Sequence, residues 1–241
     1  MRDKTGFGFF LLVAAGFGVW FWLRPDPNDN ALHARELATR FLAEHLARRY
    51  PGQHAVVLAN PFTHIAETPK EVREAQEAGL RGLRAGFGKE VVLEAVVSPE
   101  LRPGALENPR SFLGNVETPT PLSYLISPTA YDTVAGKHPG ATLLVSLIGL
   151  PSEWERCAVC TNAGPPSLAL LWPDLRVIGD AEDVIKAMRS GKLAAFVQRR
   201  PNAVADGFSP AKDPQSDFDQ RFLLVTPENV EQIAKQFPGI F

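Results

Sequence analysis

The sequence predicts an α/β protein: a single three-layer α/β/α domain with a mostly parallel sheet, preceded by one transmembrane helix. Three observations lead there. Short apolar runs at residues 54–58, 142–148 and 193–197 alternate with stretches of helical periodicity, the order that builds parallel sheets through crossover helices. These runs carry no charge, so both faces of each strand need cover, which two layers of helices provide. At 241 residues, with 45% hydrophobic residues and a formal net charge of -2, the chain has material for one full core and lacks the basic field that nucleic acid requires.

Residues 6–23, GFGFFLLVAAGFGVWFWL, contain no polar side chain and at helical rise span about 27 Å, enough to cross a hydrocarbon core. Arg2 and Lys4 precede this segment, whereas Asp26 and Asp29 follow it. The positive-inside bias therefore places residues 1–5 in the cytoplasm and the remainder outside, as a single-pass inner-membrane protein with a periplasmic domain. A cleaved signal peptide ending at Val13-Ala14-Ala15 is the competing reading, but cleavage there leaves FGVWFWL as an apolar new terminus. Residues 24–30, RPDPNDN, read as a linker, and residues 31–241 as the globular domain.

Within the domain, Ala34, Leu37, Ala38, Phe41, Leu42, His45 and Leu46 recur at helical spacing up to about Arg49, and Pro51-Gly52 ends that helix. A strand follows at 54–58, and Asn60-Pro61 turns the chain at its carboxyl end. Thr68-Pro69-Lys70-Glu71 reads as a capping box, and the helix behind it buries Val72, Ala75, Gly79, Leu80 and Leu83. Residues 90–97 form a strand, 98–121 a proline-rich loop, and Ser127-Pro128 opens a helix closed by His138-Pro139-Gly140. Residues 168–171 and 176–178 are two short strands or one irregular strand. Asp180 caps a helix whose Val184, Ile185 and Met188 share a face, and Gly191 ends it. A strand at 222–225 and a terminal helix after Thr226-Pro227 complete the chain.

Chemistry-bearing patterns are sparse. Cys157 and Cys160 form a lone Cys-x-x-Cys, read as a local disulfide or two free thiols, because Thr161, Asn162, Gly164 and two prolines follow instead of a redox helix. Haem attachment requires a His at 161, and zinc requires two further ligands among five scattered His residues. No metal or other cofactor is expected. Trp154 and Trp172 flank the cysteine region as core residues or as an aromatic wall for a ligand.

Stretches in one order resemble the second lobe of type I periplasmic solute-binding proteins, the sugar- and amino-acid-binding family related to the LacI repressors. They are ELATRFLAEHLARRYPGQHAVVLANP, AQEAGLRGL, KHPGATLLVSLIGLP, RVIGDAEDVIKAMRSGKLAAFVQRRP and LLVTPENVEQI. Gln76 and Leu80 stand where the family pattern has Arg and Phe, and Gly149-Leu150 where an Asn-Asp pair often stands. Asp180 and Gln198 match its polar ligand positions, and Asn60 and Gln76 complete the candidate ligand-binding set. The family encloses ligand between two lobes, so one lobe implies half a cleft and weak binding of a free sugar or amino acid. The expected function is a membrane-tethered, extracytoplasmic binding or interaction module, non-catalytic, with a protein partner. Alternatives are a structural subunit of a larger membrane complex, or a flavodoxin-like enzyme using the strand ends near Asn60, Pro151 and Asp180. The enzyme reading is weakened because Asn, Pro, Gly and Ser predominate at those ends.

Retention of residues 6–23 is testable by intact mass of the membrane fraction. The full chain is expected there, and a species beginning near Gly16 overturns the anchor.

Overall fold

The computed structural model describes residues 27–113, 117–118 and 120–241. The apolar segment 6–23 lies outside them, and among the described residues no helix is long and apolar enough to cross a membrane. The apolar runs fold as β1 (His54–Leu58), β2 (Val92–Val97), β3 (Leu143–Ser146), β4 (Ser167–Leu171), β5 (Leu193–Arg199) and β6 (Phe222–Val225). They form one sheet in the order β2-β1-β3-β4-β5-β6, parallel from β2 through β5 and antiparallel at β6.

Alternation along the strands divides the interior into two cores. Val56 and Leu58 of β1 join Leu144, Leu168, Leu170 and Phe196 on one face, whereas Ala55 and Val57 join Leu143, Val145, Ala169 and Val197 on the other. Helices α3 (Ala130–Lys137), α4 (Ala181–Arg189) and α6 (Val230–Gln236) cover the first face through Tyr131, Val184 and Val230. The second face is covered by α1 (Pro27–Arg49), α2 (Lys70–Phe87) and α5 (Pro214–Arg221) through Leu42, Leu83 and Phe218. The architecture is the three-layer α/β/α arrangement read from the sequence.

Several boundaries differ, for identifiable reasons. Helix α1 begins at Pro27, inside the stretch read as linker, because proline is tolerated in a first turn and Asp29 suits its positive end. Thr68 does not cap α2. Its hydroxyl donates to the Phe62 carbonyl at 2.5 Å, so the expected capping box is absent. Residues 175–177 form a 3-10 turn capped by Asp174, not a strand. Asp180 does cap α4, as part of a reciprocal capping box with Asp183. Prolines at 201, 210 and 214 disguise the approach to helix α5 as a loop. Arg221 orders that loop: its Nε donates to Asp217 Oδ1 at 2.9 Å, and its terminal N–H groups donate to the carbonyls of Ala205 and Phe208 at 3.1 and 3.0 Å. Because α5 passes directly into β6, the chain reverses there and the last strand runs antiparallel.

Helices α1 and α2 pack with their backbones in near contact. Gly79, Gly82 and Gly86 recur at helical spacing along one side of α2. A Cβ at Gly82 would overlap the Glu36 carbonyl oxygen and the Thr39 hydroxyl, and one at Gly86 would overlap the Arg40 carbonyl. By contrast, a Cβ at Gly136 in α3 would meet nothing within 4 Å. Gly82→Ala is therefore expected to destabilise the fold by about 1–3 kcal/mol or more through overpacking. Gly136→Ala should be neutral or stabilise by roughly 0.5–1 kcal/mol. Chemical denaturation of both variants checks the contrast.

Candidate functional site

In a sheet ordered 2-1-3-4-5, the connections from β1 and β3 leave toward opposite faces, opening a crevice at the carboxyl ends of these two strands. A cleft of about 760 Å³ lies there. Its walls come from the segment after β1, the first turns of α2, the residues after β3 and the end of β4.

Each wall is fixed by its own hydrogen bonds. Asn60 Oδ1 accepts from Phe62 N at 2.9 Å and caps the 3-10 turn Pro61–His64. Gln76 Oε1 accepts from Asn60 N at 2.8 Å, while its Nε2 donates to Thr63 Oγ1 at 3.0 Å, tying α2 to the same turn. After β3, the Gly149 carbonyl accepts from the Tyr131 and Ser146 hydroxyls at 2.5 and 2.6 Å. Gly149 has φ +82°, and a side chain there would crowd Ser123 and Thr120. Tyr131 is fully buried, and burial raises its phenol well above the usual value, so it remains a neutral hydrogen-bonding group.

The floor is made by Trp172 and Arg35. Trp172 has φ +46°, a conformation that costs a bulky residue on the order of 1–3 kcal/mol. It is held by its backbone N–H donating to the Val197 carbonyl at 2.8 Å and by ring contact with Phe222 at 5.8 Å between centroids. The guanidinium carbons of Arg199 and Arg35 lie 4.4 and 5.3 Å from the Trp172 ring centroid. Arg199 also chelates Asp206, with bonds of 2.7 and 2.5 Å. Arg35 has no carboxylate partner among the described residues. It donates to the Leu147 carbonyl at 3.2 Å, and its Nε is buried without a partner, as is Trp172 Nε1. Burial, reinforced by Arg199, lowers the Arg35 pKa to about 10, which leaves the group charged at neutral pH. Glu67 and Glu71 stand exposed at the cleft mouth.

The sequence candidates separate into two places. Asn60 and Gln76 line the cleft, with Asn60 Oδ1 and both ends of the Gln76 amide engaged in the contacts above. Asp180 caps α4, and Gln198 Nε2 donates to the Pro173 carbonyl at 3.2 Å on β5, two strands from the switch point; neither lines the cleft. Trp172 lines it, whereas Trp154 is buried on the opposite face of the sheet. Cys157 and Cys160 also lie on that opposite face, joined as a disulfide with Cα atoms 5.1 Å apart and no exposed surface. Arg35 is not among the sequence candidates. The available signal was its position three and seven residues before Ala38 and Leu42, which puts a charge on the buried stripe. No three His, Cys, Asp or Glu side chains among the described residues gather as a metal-binding set.

Solved periplasmic sugar-binding proteins resemble the chain over most of its length. A solute-binding protein from Actinobacillus succinogenes 130z with bound D-allose is 10% identical, over 82% of this chain and 62% of that one, with a TM-score of 0.41. A galactofuranose-binding protein is 12% identical, over 84% and 62%, with a TM-score of 0.44. A periplasmic ribose ABC transporter protein from Conexibacter woesei DSM 14684 is 15% identical, over 83% and 60%, with a TM-score of 0.44. The chain thus spans about three fifths of the length of these structures. No protein-family model and no curated protein matches it.

Beside the cleft, Asp174 anchors the residues that follow Trp172. Its carboxylate accepts from Arg176 at 2.8 and 2.7 Å and from the Thr118 hydroxyl at 2.8 Å. The Arg176 bonds, foremost, hold this carboxyl below its ordinary value near 3.8, against the opposing effect of its burial. A carboxyl lowered in the folded state contributes stability above its unfolded value and loses it as pH falls through the folded one. Asp174→Asn is expected to cost roughly 1–2 kcal/mol at pH 7. In denaturation at stepped pH, its deficit relative to the parent should shrink below about pH 4.

Proposed function

We propose that the protein is a membrane-tethered, extracytoplasmic module that binds a small ligand in the cleft between β1, β3 and β4. The observation that carries this reading is the cleft floor: a strained tryptophan and a guanidinium without a carboxylate partner meet at the sheet's switch point. Strain and an uncompensated charge both reduce stability, so a fold that keeps them together at its carboxyl edge is suited to recognition there. Residues 6–23 supply the tether, and the Cys157–Cys160 disulfide suits an oxidising compartment.

Full-length protein in nonionic detergent, screened by thermal shift against small solutes, tests this reading. At least one solute is expected to raise the melting temperature and perturb Trp172 emission, isolated as the difference from Trp172→Phe. A solute that stabilises the chain equally in Trp172→Phe and Arg35→Met, with no change in Trp172 emission, would place binding elsewhere.

A further inference from the structure

The polar groups around the cleft are unequally free. Both ends of the Gln76 amide are engaged, Asn60 Oδ1 caps a turn, and the Thr68 hydroxyl is bonded to the Phe62 carbonyl. Thr120 Oγ1 accepts from the buried Ser123 hydroxyl at 3.0 Å. A sugar, which carries hydroxyls around its whole ring, finds few partners left. Among the described residues the lining also offers apolar surface from Phe62, Ile65, Val72, Leu122, Ile148 and Leu171, the Asn60 Nδ2 group, and a cation, Arg35, beside Trp172.

Resting on the ligand-site reading above, we propose that the cleft takes a small monocarboxylate with an apolar aryl or alkyl body. The carboxylate pairs with the Arg35 guanidinium, and the body covers Trp172 and the apolar walls. Arg35 lines the cleft with no carboxylate partner among the described residues, and a cation so placed calls for an anion. Arg199 shares its charge with Asp206, whereas Arg35 has no such counterion among the described residues. The exposed Glu67 and Glu71 at the mouth oppose a second negative charge, which selects monoanions over phosphate monoesters.

The test is calorimetry of the full chain in nonionic detergent with 4-phenylbutyrate, 4-phenylbutanol and ribose, paired with Trp172 emission. The carboxylate is expected to bind roughly 10- to 100-fold more tightly than the alcohol, the range of one charge-assisted contact. Arg35→Met should weaken the acid far more than the alcohol and so abolish that preference, a result that loss of folding cannot produce. Equal binding of acid and alcohol, or a preference that survives Arg35→Met, overturns the carboxylate assignment but leaves the cleft as a ligand site if Trp172 emission responds. Ribose binding tighter than the carboxylate also overturns it. No binding by any probe, with Trp172 emission unmoved in the parent, sinks the assignment and the ligand-site reading together.

Discussion

The close approach of α1 to α2 is the contact on which the site depends. Three glycines remove the side chains that ordinarily keep helix axes 8–10 Å apart, so α1 settles against the Gly79, Gly82 and Gly86 face of α2. Arg35 is carried with it: its Nε lies 3.3 Å from where a Cβ at Gly79 would stand, and its terminal nitrogen reaches the Leu147 carbonyl beyond β3. A residue on the outer helical layer thereby reaches the carboxyl edge of the sheet. Wider spacing would leave that edge without its cation.

Arg35 is stabilised in ways that leave its charge uncancelled. The Trp172 ring and the Leu147 carbonyl provide dipolar and quadrupolar contacts, worth about 0.5–2 kcal/mol for the cation–π part, without a carboxylate to neutralise the guanidinium. The contrast within the same fold is Arg221, more deeply enclosed and bonded to Asp217 and to backbone carbonyls. Arg221 ties a loop to a helix. Arg35 faces a cavity.

Much of the fold was legible because it follows from local signals. Uncharged apolar runs marked β1, β3 and β5, Asp180 marked the start of α4, and Gly191 its end with φ +76°. What escaped was decided by distant partners. Thr68 looks like a cap until Phe62 offers a carbonyl, and 201–214 looks like a loose loop until Arg221 supplies donors to it. The site was less legible for the same reason. Asn60 is marked by a strand end, a local feature, and Gln76 by the family-like pattern, and both line the cleft. Arg35 and Trp172 lie far apart in sequence and meet only when α1 crosses the end of β4. Family-like spacing pointed to Asp180 and Gln198, but the strand order puts β5 away from the crevice between β1 and β3.

The polarity of α1 has a consequence for supply. Its last turn leads through Pro51-Gly52 into β1, so its first turn lies at the carboxyl edge of the sheet, where Asn30 Nδ2 donates to the Gly207 carbonyl at 2.9 Å. From Pro27 to Arg35 the helix advances about 12 Å. Under the proposed tether the chain would enter the domain at that same edge, which would hold the mouth of the cleft nearer the headgroup layer than the opposite pole. Amphiphilic molecules accumulate at such an interface. A module held in this orientation draws on a two-dimensional reservoir, and its occupancy follows how strongly a molecule partitions into the bilayer surface as much as how much of it is dissolved around the cell.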